Sequence, residues 1–586
     1  MKIDRAAGST KQDPAYVTKT EQDPAYVRRA GPGFWTRLVA VSLLLAAPPL
    51  AAQDSQILAA MRDELKRSMA ELRMKGEAPP YYIAYEVLDR TLSDMSGRLG
   101  SIVQNPPRRV RTLRVEVRVG DYAFDSSRFA IQGFGGGPLT GETVIAPLDD
   151  DYDVMRREIW ITTDTAYKRA ITMFARKKAA FQNRTASDPL PDFSVETPVE
   201  TILSSNEVRL KPDHAPDLQS DAAARVQQSS AMFASHVDVD VSEVALSQVH
   251  GTRYFLNSEG FAAITPIQIA GLTIFGESQA GDGMPVRQTF NTVGRTVADL
   301  PSAAELVARA KELSAGVTAS RVAPIGDEFT GPVLIEGVGS AQFLAETLVP
   351  MMQARRPPDT ENPRMAQGGA SPFLNRTGLR VMADSFVARD TPSLTQFGGK
   401  PLPGSYVVDD EGVRAKDVTL VDKGRLVTLL TSRTPQKNFP QSNGHGRSGT
   451  VLAGVFQIES TQAIPAAELK QKYLALLKAQ DKAFGYIVRG VRPDGQGDGG
   501  PGIEAIVKVT LDGQETPVRG MRFGNVAATV FRDLAEASHE RAAYSYRAGA
   551  VSAVTVIAPS LIFEELDIQR VRDILQKPPV VPSPLK

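Results

Sequence analysis

Phe329–Met352 reads FTGPVLIEGVGSAQFLAETLVPMM. Val333–Ile335 form a short apolar run of the kind a buried strand carries. Gly337 and Gly339 mark a Gly-rich turn, and a helix follows. On that helix Gln342 and Glu346 stand four residues apart and share a face. The predicted unit is therefore strand, turn, helix, with Ala341, Gln342 and Glu346 on the helix.

The flanking composition narrows the chemistry. The chain has 586 residues and no cysteine. A disulfide framework, a thiolate metal site and a cysteine nucleophile are all excluded. Apolar residues make up 42% and charged residues 23%, values of an ordinary globular protein long enough for two or more domains. Basic and acidic residues balance at 67 each, so no basic footprint points to nucleic acid.

The N-terminus has the layout of a secretory signal peptide. Arg28, Arg29 and Arg37 precede the apolar Leu38–Ala47, and Pro48, Pro49 and Leu50-Ala51-Ala52 follow. The apolar core is too short for a membrane span, and cleavage is expected near Ala52. An uncleaved anchor is the alternative. The duplicated QDPAYV at Gln12–Val17 and Gln22–Val27 reads as a disordered extension or a start codon placed too early. Residues 1–52 hold seven of the 67 basic and four of the 67 acidic residues, leaving 60 and 63, a net charge of about −3. A near-neutral exported chain without cysteine fits a periplasmic or secreted setting, with no membrane span after cleavage.

The rest falls into two parts, 53–320 and 321–586. In the first, Gln56–Lys75 has helical apolar spacing. Tyr81–Leu88, Leu113–Val119 and Tyr122–Phe124 read as strands, the last two as a hairpin about Gly120-Asp121. Tyr167–Phe181 reads as a helix whose Lys and Arg form a solvated face. Ala222–Ala234 is a predicted helix; Val237–Val249, Arg253–Asn257 and Ile264–Ile274 are predicted strands. Ser302 and Glu305 form a capping box ahead of a helix to Leu313. In the second part, Val381–Ala388, Thr419–Leu430, Val451–Ile458, Ala505–Leu511, Met521–Val526 and Val551–Ile557 read as strands. Ala466–Lys478, with Pro465 at its first position, and Ala527–Ala537 read as helices. Pro493–Gly502 is a Gly-rich hairpin tip; Asp494 and Asp498 lack the regular ligand ladder of a calcium loop. The fold class is α+β: an N-terminal α+β domain followed by a largely β domain.

Several separated segments resemble the TldD/PmbA family, also called the modulator of DNA gyrase family. Arg253–Gly260 (RYFLNSEG) is similar to its strand and N-S-[ED]-G turn, and Asp409–Val413 (DDEGV) to its D-[DE]-E-G-[VT] segment. Leu420–Leu430 (LVDKGRLVTLL) resembles the hairpin that follows, and Ser442–Arg447 (SNGHGR) its T-G-N-G or T-G-H-G loop. Val518–Val526 and Ala558–Leu561 resemble its C-terminal strands. The order and spacing of these segments, over roughly residues 80–565, carry the resemblance. It implies two domains with the active-site helix at their junction, and dimers. It further implies zinc peptidase activity in TldD-type members, through an H-E-x-x-x-H helix and a later Cys; PmbA-type members lack these and act as partner subunits. Here Ala341 and Glu346 stand at the two His positions and Gln342 at the Glu position, so the chain resembles the PmbA type.

Zinc catalysis needs about three protein ligands, an open water position and a base. Ala341 cannot coordinate and Gln342 cannot accept a proton from water. No zinc or other cofactor is expected, and Gln342 and Glu346 are candidates to line a polar cleft. Asn443, His445 and Arg447 sit in a Gly-flanked loop. They are candidates for peptide or ion contact, or else belong to a tight turn with exposed polar side chains. His539-Glu540 cannot start a zinc helix because Ala543 and Tyr544 follow; His539 is expected in a surface loop. His214, His236 and His250 show no ligand spacing, and no G-x-S-x-G elbow is present. Three readings stay open: a non-catalytic polypeptide binder, as a homodimer or beside a zinc-bearing TldD-like partner; an active metallopeptidase with atypical ligands such as Glu346 and His445; or a structural envelope protein.

Overall fold

A computed structural model describes residues 55–130, 141–182, 190–197, 202–203, 216–360, 370–492 and 500–571. Asp54–Lys586 form one compact unit. The signal-like segment, the QDPAYV repeats, His214, Asp494 and Asp498 lie outside the described residues.

The first sheet has eight strands. Its path runs Glu142–Ala146, Arg108–Val119, Pro80–Arg98, Val241–Asn257, Ala262–Gln279 and Ile202–Leu203, with Ser101–Gln104 and Pro285–Gly294 paired beside it. The long central strands are antiparallel. Alternation in LRVEVRV turns Leu113, Val115 and Val117 onto the buried face. Helices α1 (Gln56–Glu71) and α2 (Tyr152–Phe181) cover one region of this sheet through Ile57, Leu58, Met61, Met155 and Ile159. Helices α3 (Pro216–Ala231) and α4 (Ala303–Val322) cover another through Val226, Leu306, Ala310 and Val317. The capping box forms: Ser302 Oγ accepts from the Glu305 N–H at 3.3 Å, and the Glu305 carboxylate accepts from the Ser302 N–H at 2.7 Å.

The second sheet has eleven strands and begins with Phe329–Ile335. That strand runs parallel to Phe484–Arg492 and antiparallel to Ala553–Arg570. Phe484–Arg492 continues through Gly502–Thr510 and Met521–Phe523 back to Ala553–Arg570, so five strands close a barrel. Ala553–Arg570 then passes the sheet on to Val455–Ser460, Phe386–Asp390 and Val418–Asp422. Helices α5 (Gly337–Glu346) and α6 (Leu348–Met351) follow the first barrel strand, and α7 (Ala466–Ala479) lies further along the chain. The protein is thus mixed α+β with a largely β C-terminal half. Among the described residues no helix is long and apolar enough to cross a membrane.

Several local expectations need correction. Tyr122–Phe124 is not a hairpin strand; Gly120 and Asp125 make one isolated bridge, and Asp121 Oδ1 accepts from the Ala123 and Phe124 N–H groups in a tight turn. The two predicted strands before Asn257 are one strand, Val241–Asn257. Ala527–Ala537 is not an α-helix. Ala528–Asp533 is a short 3-10 turn, and Leu534–Arg547 is a strand paired with Ala553–Arg570. Burial of Leu534 and Ala537 in the barrel core overrides the helical propensity of that alanine-rich stretch. His539 is therefore exposed on a strand rather than in a loop. In α2 the charged run is not wholly solvated, since Lys177 is buried and pairs with Asp192 at 2.6 Å. Pro465 caps α7 from just outside instead of opening it. Phe484–Arg492 is a strand beyond those expected, and it and Gly502–Thr510 flank residues 493–499 as an antiparallel pair.

Candidate functional site

The strand, turn and helix predicted for Phe329–Met352 are present. Val333, Leu334 and Ile335 are fully buried because the strand has a neighbour on each side in the barrel wall. Gly337 turns the chain with φ of +54°, and its N–H donates to Ser560 Oγ at 2.9 Å. At Gly339 the helix rests on the neighbouring backbone: an added Cβ would lie 2.8 Å from the Arg489 carbonyl carbon. Glu336, just before the helix, pairs with Arg489 at 2.8 Å.

The three positions of interest on α5 have different fates. Ala341 is fully buried, in the same core as Phe343 and Leu344. The Gln342 Oε1 accepts from the Val491 N–H at 3.0 Å. The pairing of Phe484–Arg492 slips on both sides of Gly490, and Gln342 satisfies a donor at that irregularity. Glu346, at the helix end, borders a cavity of about 400 Å³ together with Thr347, Met351, Arg355, Ser371 and Asn525. Burial raises its carboxyl above the usual range. Tyr544 is pushed up to about 12 and Tyr546 is raised as well, in each case first by burial and next by the Glu346 charge.

These residues do not fit zinc. Ala341 offers a methyl group inside the core, Gln342 spends its oxygen on the backbone, and Glu346 is one carboxylate. Among the described residues no group of three or more His, Cys, Asp or Glu comes together in a metal-binding arrangement.

The SNGHGR loop lies inside the protein. His445 is fully buried, with Nδ1 2.8 Å from Asn443 Oδ1 and Nε2 3.2 Å from Asp390 Oδ1. Asn443 accepts from the Thr431 N–H at 2.8 Å and donates to the Leu429 carbonyl at 2.9 Å. Arg447 donates to the Ala453 and Ala553 carbonyls and stacks over Tyr406, 4.2 Å from its ring centre. The side chains neither meet Glu346 at a common ligand position nor stand exposed on a turn; their polar atoms are spent on loop backbone and on Asp390. Gly444 explains the Gly-rich spelling: a Cβ there would lie 2.3 Å from the Arg414 carbonyl, and φ is +79°.

Asp409–Val413 is the loop's counterpart. Asp409 is buried and accepts from the Glu411, Val413 and Gly446 N–H groups. Burial drives its carboxyl well up, and the neighbouring Glu411 adds to this. Glu411 is raised by burial too and accepts from the Arg433 N–H at 2.6 Å. Asn257 of the NSEG turn accepts from the Glu259 and Phe261 N–H groups, which aims Glu259 at Arg433. The NSEG turn, the DDEGV segment and the SNGHGR loop thus meet as one internal joint between the two sheets.

Sequence reasoning missed Asp390, Arg128 and Arg355. Asp390 is fully buried against His445 and the Gly454 N–H. Its only signal in sequence is an acid ending an apolar stretch, FVARD. Arg128 and Arg355 belong to segments with no periodicity, and only the fold brings them together.

The comparisons with known proteins agree with this architecture. Residues 330–570 match the family model described as the PmbA/TldA metallopeptidase C-terminal domain. A metalloprotease of Methanothermobacter thermautotrophicus is 27% identical over 290 residues, covering 48% of this chain and 58% of the relative. A metalloprotease of Archaeoglobus fulgidus is 32% identical over 93 residues, 16% of this chain and 20% of the relative. The chain therefore spans under two thirds of the length of these relatives. Among solved structures, a Thermotoga maritima protein named as a modulator of DNA gyrase superposes with a TM-score of 0.56 at 14% identity, covering 87% of this chain and 100% of that one. TldE from Thermococcus kodakarensis gives 0.55 at 15% identity, covering 87% and 99%. At such identities these neighbours bear on the fold alone. Residues 330–570 thus carry a PmbA/TldA metallopeptidase C-terminal domain, and the chain as a whole shares the fold of the modulator of DNA gyrase and TldE structures.

Proposed function

We propose that the chain is a non-catalytic, polypeptide-binding member of this family, exported to the periplasm. In this reading residues 53–320 and 321–586 are its two domains. It binds an unfolded segment in the groove beside Glu346, as a homodimer or beside a zinc-bearing relative whose cleft it completes. The observation that carries the reading is the fate of α5: Ala341 is core, Gln342 is tied to Val491, and Glu346 alone faces a cavity. A helix built this way can line a polar groove, but it has no ligand set to generate a zinc-bound hydroxide. The experiment is equilibrium binding of a fluorescent, unstructured, end-capped twelve-residue peptide of Gly, Ser and Thr, together with light scattering of the protein alone and with a zinc-bearing relative. Binding without cleavage, and a dimer in at least one condition, support the reading. A strict monomer that binds no peptide contradicts it.

A further inference from the structure

A second cavity, of about 160 Å³, lies where the first sheet meets the loops of the second. Its wall is rich in arginine: Arg114, Arg118, Arg128, Arg355 and Arg356 all reach it. Most of the charges around it are already committed. Arg118 pairs with Glu116 at 2.7 Å and Asp125 at 3.1 Å. Asp410 pairs with Arg253 at 3.0 Å. Asp192 is held by Lys177 at 2.6 Å, and Asp359 stands between Lys177 and Arg356 at 3.9 and 4.0 Å.

Among the described residues, two arginines of this wall have no carboxylate in salt-bridge contact. Arg128 is buried; one Nη donates to the Arg356 and Pro357 carbonyls at 3.2 and 2.6 Å, and its Nε has no hydrogen-bond partner. Arg355 is half-buried, its Nε is likewise unpartnered, and among the described residues no acid pairs with it. Burial pushes Arg128 down to about 10, with Arg356 adding to the effect, and lowers Arg355 as well. Asp359 and Asp192 offset the effect at Arg128 only in part, and guanidinium groups held out of water with no carboxylate in direct contact are stabilised when an anion supplies one. The space is about five water volumes, enough for a carboxylate. Arg355 also borders the Glu346 cavity, so the two spaces share a wall.

We infer that Arg355 and Arg128 form a carboxylate-binding subsite, which takes the C-terminal carboxylate or an Asp or Glu side chain of a polypeptide lying in the Glu346 groove. This rests on the polypeptide-binding reading for its ligand but on the two unpaired guanidiniums for its chemistry. Arginine suits the task because its planar fork meets both carboxylate oxygens at once.

The test uses N-acetylglycinate, N-acetylglycinamide and inorganic phosphate as probes, with affinities read by ligand-detected NMR on the full mature chain, wild type, Arg355→Gln and Arg128→Gln. The acid should bind at least tenfold more tightly than the amide, and Arg355→Gln should lose about tenfold for the acid alone. Arg128→Gln should do the same; should it fail to fold, the half-buried Arg355 carries the test. Equal binding of acid and amide, or unchanged affinity in Arg355→Gln, overturns the inference. Phosphate bound in preference to the acid overturns the carboxylate assignment as well. The end-capped peptide separates the two claims: if it binds while acid and amide do not differ, only the subsite fails. If it does not bind while the acid is preferred, polypeptide binding fails and the subsite stands.

Discussion

Arg433 grips Glu259 with both terminal nitrogens, Nη1 to Oε2 at 2.5 Å and Nη2 to Oε1 at 2.7 Å. Glu259 sits in the turn after the Val241–Asn257 strand of the first sheet, and Arg433 in a loop of the C-terminal half. The same guanidinium donates to the Ser194 carbonyl and stacks on Phe193 at 3.7 Å; Arg118 stacks on that ring at 3.7 Å as well. One side chain thus joins the two halves through charge, hydrogen bonds and an aromatic face.

Arg433→Ala should destabilise the fold by about 3–5 kcal/mol, the usual effect of stranding one partner of a buried ion pair. Urea unfolding of the single and double variants with Glu259→Gln measures this. The double variant should be less damaged than the sum of the singles, and full additivity would mean that the pair is uncoupled.

Gly339→Ala should cost about 1–3 kcal/mol through overpacking, because the new methyl meets Arg489 backbone rather than a side chain that can move aside. Thermal unfolding checks it. Stability equal to wild type would show that α5 lifts freely from the barrel.

The Glu346 carboxyl gives a pH signature. Burial raises it above the unfolded value, so the fold favours the protonated form. That contribution is fully present below the unfolded value and is lost as pH rises through the folded one. Glu346→Gln should therefore gain stability relative to wild type as pH rises from about 4 to 8. Unfolding midpoints at pH 4, 6 and 8 test this, and a difference that is flat or falls with pH contradicts it.

Much of this was legible in sequence. Val333–Ile335 spelled a buried strand, Gly337 and Gly339 a turn, and Ser302 with Glu305 a cap; each signal is local, and each formed. The hidden parts depend on distant partners. Leu534–Ala537 reads as helix until the Ala553–Arg570 strand claims it. His445 reads as a cleft residue until Asp390, 55 residues earlier, is seen against its ring. Arg128 and Arg355 carry no pattern, since their significance is that among the described residues no acid makes a salt bridge to either.

Export makes a separate prediction. Protein recovered from the envelope fraction should begin near Gln53 on N-terminal sequencing, following the basic, apolar and small-residue order of Arg28–Ala52. A cytoplasmic chain still beginning near Met1 contradicts it.

In the proposed function, a metallopeptidase-like fold binds polypeptide without zinc chemistry. Even a change behind the ligands of a zinc site weakens metal binding about 10–100-fold, and here the residues that the family resemblance sets at the ligand positions are Ala341 and Glu346, with Gln342 at the base position. The direct measurement is zinc content by mass spectrometry, paired with cleavage of an unfolded polypeptide by the purified mature protein with and without added zinc and chelator. Zinc is expected well below one per chain, with no cleavage in any condition. Stoichiometric zinc, with chelator-sensitive cleavage abolished by Glu346→Ala, would contradict it.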